Sequence, residues 1–104
     1  MKLLILTLFT LTLTVPAFAA HKQKFDVIGT SPKGQFVAIE EYGYHPGTHM
    51  YFVTIKIMNV WKKEYVGSGV QIELPASRPY VLQKARNEAK ELALNSLKKY
   101  QITP

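Results

Sequence analysis

Two adjacent glutamates, two histidines four positions apart and a run of tyrosines are the side chains of this 104-residue chain best suited to chemistry. Glu40 and Glu41 are followed within one stretch by Tyr42, Tyr44, His45, His49 and Tyr51, and these seven form the candidate ligand- or partner-binding set. Two carboxylates working as an acid and a base have to face one substrate. Neighbours on a strand point to opposite faces instead, so the pair is read as one inward and one outward carboxylate. Glu40, close in parity to Phe36 and Ala38, is the inward one. A buried carboxylate has to be hydrogen-bonded or shift its pKa. The structural expectation is that Glu40 accepts bonds from a tyrosine hydroxyl or a loop amide and pins the turn. The functional alternative places it in a ligand site.

His45 and His49 have the spacing that chelates a metal on a helix, but Pro46-Gly47 lies between them and argues for a loop. A loop folded back on itself would let both reach one ion, with Glu41 or His21 as a third ligand. Zinc sites want three or four protein ligands, and the chain contains no cysteine. His45 and His49 therefore stand only as weak metal candidates, and no cofactor is assigned. The sequence has no G-x-S-x-G elbow, phosphate-binding loop, dinucleotide glycine pattern or cysteine nucleophile, and Asp26 is its single aspartate. No catalytic residue is named. This inventory points to a non-catalytic binding or envelope-interaction domain. The rivals are a small metal-dependent hydrolase using the His45/His49 loop and a fragment of a larger secreted fold.

The elements that position these residues are legible from period and punctuation. Phe25 to Gly29 reads as a first strand, Thr30-Ser31-Pro32-Lys33-Gly34 as a turn, and Gln35 to Tyr44 as a second strand whose first half, apolar on both faces, reads as central. Residues 45–49 read as a loop. Met50 to Val60 alternates as a strand, 59–63 as a hairpin connection, and Glu64-Tyr65-Val66 as its return. Gly67-Ser68-Gly69 breaks or bulges the chain before Val70, Ile72 and Leu74, and Pro75 ends that strand. Beyond it the period becomes helical. Leu82, Ala85, Ala89, Leu92, Ala93 and Ser96, widened by Leu97 and Tyr100, trace a stripe, with Lys84, Arg86, Glu88, Lys90, Glu91 and Lys98 mostly opposite. Strands followed by one helix predict an α+β fold: an antiparallel meander of four or five strands with a C-terminal amphipathic helix on one face.

The first twenty residues predict an export signal. Lys2 is followed by the apolar run Leu3 to Val15 and by Ala17-Phe18-Ala19, with cleavage expected after Ala19. Thirteen helical residues span about 20 Å, short of a roughly 30 Å hydrocarbon core. The expected domains are residues 1–19 as signal and 20–104 as one small domain, secreted or periplasmic and without a transmembrane segment once cleaved. Without cysteine that domain has no disulfides and relies on its core. At 47% hydrophobic and 12% aromatic the chain is too apolar to be disordered. The net charge is +6, from 13 basic and 7 acidic residues that read as spread along the chain. Possible partners are an envelope protein, an anionic envelope polymer or a second copy of the chain, and nucleic acid is not expected.

The run Ser31-Pro32-Lys33-Gly34-Gln35-Phe36-Val37-Ala38-Ile39-Glu40-Glu41-Tyr42-Gly43, followed by Tyr51 to Val60 and Trp61, resembles a bacterial family of predicted secreted proteins of unknown function. Members show S-P-D-G, an A-F-E-E-Y-G run, an aliphatic strand, a tryptophan near the next turn and an alanine-rich helix. Lys33 departs from their aspartate and Ile39 from their phenylalanine. The resemblance implies export and fold, and no catalytic residue. The same S-P-x-G hairpin is similar to one blade hairpin of TolB-type propellers, but a propeller needs several such units.

Overall fold

The computed structural model describes residues 23–104, so the expected export signal, its expected cleavage site and His21 lie outside the described residues. Four strands, β1 (Gln23–Thr30), β2 (Phe36–His45), β3 (Met50–Asn59) and β4 (Glu64–Pro75), precede one helix, α1 (Tyr80–Lys99). The strands pair in chain order as one antiparallel meander, the expected α+β arrangement, and no fifth strand is needed. Short turns explain the order, since consecutive antiparallel strands joined by a few residues pair with each other. The glycine-marked break falls inside β4: Gly67 and Gly69 have φ of 72° and 74°, and the register with β3 shifts between Ile55 and Ile57. Glycine adopts that backbone without a Cβ penalty, which lets one long strand bend instead of ending.

Register assigns the faces. Glu40 lies opposite Ile55 and Asp26, Tyr42 opposite Val53, and Ala38 opposite Ile57, and this face carries the helix. The helix lies mainly over β3 and β4 and touches β2 at its margin. Its buried line is Val81, Ala85, Ala89 and Ala93, and the three alanines pack with Val53 and Ile55. Three alanines in that line let the helix backbone approach the sheet closely. The expected stripe is rolled: Leu92 is 60% exposed and Ser96 is exposed, whereas Val81 is buried and Arg86 turns inward. The reason is a bond between Arg86 and the sheet, described below, which brings the 82–86–90 flank down and lifts the 88–92 flank away. Among the described residues no helix is long and apolar enough to cross a membrane.

Among the described residues no helix lies on the other face of the sheet. Phe25 and Val27 are 67% and 60% exposed there, beside half-buried Val37, Ile39 and Met58.

The helix ends in a tight cap. The Ile102 N–H donates to the Leu97 carbonyl at 2.9 Å and the Gln101 N–H to the Lys98 carbonyl at 3.1 Å, around Gln101 at φ 57°. These are the two bonds of a Schellman motif, with Ile102 buried near Leu97 as its apolar clasp. The tail then pairs with the first strand: Thr30 and Thr103 exchange backbone bonds of 3.1 and 3.2 Å. Gly29 makes room for this, because a Cβ there would overlap the Thr103 carbonyl. Gly29→Ala is expected to displace the tail, uncover Ile102 and cost about 2 kcal/mol in urea unfolding. Gln101→Gly, which removes the Cβ from a left-handed position, is expected to gain about 1 kcal/mol. The opposite signs would contradict this account of the C-terminal clasp.

Candidate functional site

The inward carboxylate is fully buried: Glu40 is 0% exposed. Its partner is neither a tyrosine hydroxyl nor a loop amide. Arg86 of α1 donates from Nε to Oε2 at 3.0 Å and from Nη2 to Oε1 at 2.8 Å. The same Nη2 lies 3.6 Å from the Asp26 carboxylate, and the guanidinium carbon sits 4.0 Å above the Tyr42 ring. Such a forked, charge-assisted pair under an aromatic face is strong for its size. The hydrogen bond to Glu40 is the largest influence on Arg86 and raises its pKa against the lowering effect of burial; the Glu40, Tyr42 and Asp26 charges add to the rise. Among the described residues no buried side-chain nitrogen or oxygen lacks a hydrogen-bond partner. Glu40 itself is sealed, whereas Arg86 and Asp26 keep 18% and 57% of their side-chain surface exposed. Glu40 has no exposed surface with which to meet a substrate, so its geometry suits anchoring the helix.

The other sequence candidates divide between the two faces. Tyr44 and Tyr51 lie opposite each other on the helix side with ring centroids 5.8 Å apart, and the Tyr44 hydroxyl meets His49 Nδ1 at 2.7 Å. His45 lies on the other face, its ring stacked on Phe52 at 4.4 Å, and Glu41 shares that side opposite Phe25 and Thr54. His45, His49 and Glu41 are therefore not brought together. No group of three or more histidine, aspartate or glutamate side chains placed to hold a metal occurs among the described residues. The hollow at this end, about 370 Å³, is lined by His45, Pro46, Gly47, Thr48 and Glu73, and includes only one of the seven candidates.

The opposite end of the sheet gathers what looked scattered in the chain. The β1–β2 turn brings Lys33, the β3–β4 turn Lys62 and Lys63, and the end of α1 Lys98 and Lys99. The two turns are joined by a 2.7 Å bond from the Val60 N–H to the Gln35 carbonyl. The helix end meets the first turn across a cleft of about 300 Å³ bordered by Lys33, Gln35, Phe36, Lys99, Tyr100 and Gln101. Of the eleven basic and seven acidic residues from position 23 onward, five lysines stand in these three segments, and one acid, Glu64 at the start of β4, adjoins the second turn. The remaining charges balance, six against six. The net positive charge of the described chain is therefore concentrated at this end. Sequence reasoning missed it because the lysines lie up to 66 positions apart, from Lys33 to Lys99. The usable signal was that each lysine group borders a turn or a helix end.

Comparison with known proteins finds no match: no family model, curated protein or solved structure is significantly similar to this chain.

Breaking the buried pair from one side leaves an uncompensated group in the interior. Arg86→Ala is expected to cost about 3 kcal/mol in denaturant unfolding, whereas Glu40→Leu combined with Arg86→Met restores stability to within about 1 kcal/mol of the parent. The pH dependence has a definite sign. A raised arginine pKa is a stabilising contribution that is complete below arginine's ordinary range and is lost only at still more alkaline pH. The Glu40–Arg86 coupling from a double-mutant cycle is thus expected to be equal at about pH 7 and about pH 10. A coupling halved at the higher pH would contradict it.

Proposed function

We propose that this protein is an exported, non-catalytic binding domain whose basic end engages an anionic polymer of the cell envelope. The observation that supports this reading is the uneven charge: five lysines in three converging segments and one adjoining glutamate, with all other described charges in balance. Lysine is a compact point charge on a flexible stem, suited to carboxylate or phosphate groups whose spacing is not fixed. Trp61, 61% exposed beside Lys62, adds an aromatic face. The negative pole of α1 subtracts about half a charge from this end, which leaves it strongly positive. Export rests on Lys2, the Leu3–Val15 run and Ala17-Phe18-Ala19. The hydrolase alternative needs His45, His49 and Glu41 on one ion, and they lie apart.

A second reading, association with another copy of the chain, is favoured by the sheet face on which no helix lies among the described residues. Phe25, Val27 and Tyr65 are exposed there, and Glu41 lies diagonally from Lys56 in the β2–β3 register. A two-fold axis lying in the plane of that face, midway between Glu41 and Lys56 and perpendicular to the line joining them, would set each copy's glutamate against the other's lysine. Sedimentation across about 1 to 100 µM tests it, since a monomer throughout rules it out.

For the principal reading, the protein is expected to bind polygalacturonate but not neutral dextran of the same length. Affinity should fall on the order of tenfold between about 50 and 200 mM salt, as contacts to a polyanion release counterions. Replacing Lys62, Lys63 and Lys98 together by glutamine is expected to weaken binding by on the order of tenfold. The same charge change at Lys24, Lys56 and Lys84 is expected to leave it within about twofold. Equal losses from both triple variants would reduce the interaction to overall charge and contradict the proposal.

A further inference from the structure

The cleft between the β1–β2 turn and the end of α1 combines features that net charge alone does not require. Lys33 and Lys99 come from its two sides, and Phe36 and Tyr100 contribute rings with centroids 4.7 Å apart at 48°. The Lys99 ammonium lies 5.5 Å from the centre of the Tyr100 ring. Gln35 and Gln101 add amides that both donate and accept. At about 300 Å³ the space is at the small end for ligand pockets, room for one ring and its substituents.

Its walls are held before any ligand arrives. The Ser31 N–H donates to the Phe36 carbonyl and the Phe36 N–H to Ser31 Oγ, both at 2.9 Å, and the Gly34 N–H closes on the Ser31 carbonyl at 2.9 Å. The facing wall is fixed by the Schellman cap and by the Thr30–Thr103 bridge. A preformed cleft loses little freedom on binding, which favours affinity for a small ligand. Gln101 holds a left-handed backbone in this wall, a conformation that glycine would adopt more easily.

We propose that this cleft holds a single sugar unit carrying a carboxylate or a phosphate, and that it is the specific subsite within the basic end; this rests on the polyanion-binding reading above. The chemistry follows from the lining. The two ammonium groups take the anion. The ring faces are negative, so they attract the slightly positive C–H face of a pyranose, and the amides take its hydroxyls. A planar base could not be sandwiched between the two rings, which are tilted at 48° and already in contact.

The test is a set of nuclear magnetic resonance titrations of the isotope-labelled protein with galacturonate, galactose and inorganic phosphate. Galacturonate is expected to shift the Gln35, Tyr100 and Gln101 amides saturably. Galactose, lacking the charge, and phosphate, lacking the ring, are each expected to bind at least fivefold more weakly. Lys33→Gln, on an exposed turn, is expected to weaken galacturonate at least fivefold with the fold intact by its amide spectrum. Phosphate binding as tightly as galacturonate, galactose binding as tightly, or shifts confined to Lys62 and Lys63 would overturn the subsite. Polygalacturonate binding that still depends on Lys62, Lys63 and Lys98 would then leave the polymer reading standing. Loss of polymer binding as well would end both.

Discussion

The forked bond between Arg86 and Glu40 is the constraint on which the arrangement of this domain depends. Burial of alanine against valine and isoleucine is non-directional and would tolerate several rolls of the helix about its axis. A fully buried carboxylate does not tolerate them, because its partner has to arrive at one place with two N–H groups aligned. With Arg86 set over Glu40 and Tyr42, the 82–86–90 flank faces the sheet and Leu92 faces solvent. The same roll places Leu97 and Ile102 over Ala38 and Ile57, which brings the chain to the backbone bonds between Thr30 and Thr103. A polar bond at the middle of the helix thus decides where its end lies, and that end forms one wall of the basic cleft.

Stability and the proposed binding surface are separated along the molecule. The middle holds two small apolar clusters and the saturated ion pair, and a cysteine-free chain has to rely on these. The ends hold turns whose backbones are fixed by local bonds while their side chains remain in solvent. Such a scaffold can present lysines without burying any of them, and desolvation does not offset their attraction to an anion. The cost is modest affinity per contact at physiological salt, where screening acts over about 8 Å. Several shallow contacts along a polymer compensate for this better than one deep pocket would.

The strands, the helix and their order were legible because each carries its own periodicity. Tyr51, Val53, Ile55 and Ile57 alternate, alanines recur every four residues in the helix, and Pro75 and Pro79 mark the change between them. The opposite orientations of Glu40 and Glu41 also followed from strand geometry. The partner of Glu40 did not: Arg86 lies 46 positions away and looks like any solvated helix arginine until the sheet register is known. The roll of the helix was hidden for the same reason, since Leu92 belongs to the stripe by pattern and leaves it only because Arg86 is bound. In the His45–His49 segment, types suggestive of a metal site were visible, while the turn that sets His49 beside Tyr44 and leaves His45 on Phe52 was not. The lysine cluster needed the whole topology, because three segments distant in sequence compose it.

The central claim, that function resides at the end where charge concentrates, is tested most directly by amide hydrogen exchange with and without polygalacturonate. Slowed exchange confined to residues 31–36, 60–64 and 97–103 is the predicted result. Protection instead at residues 45–49 or along Phe25 and Val27, or no protection at concentrations that bind the polymer, would contradict it.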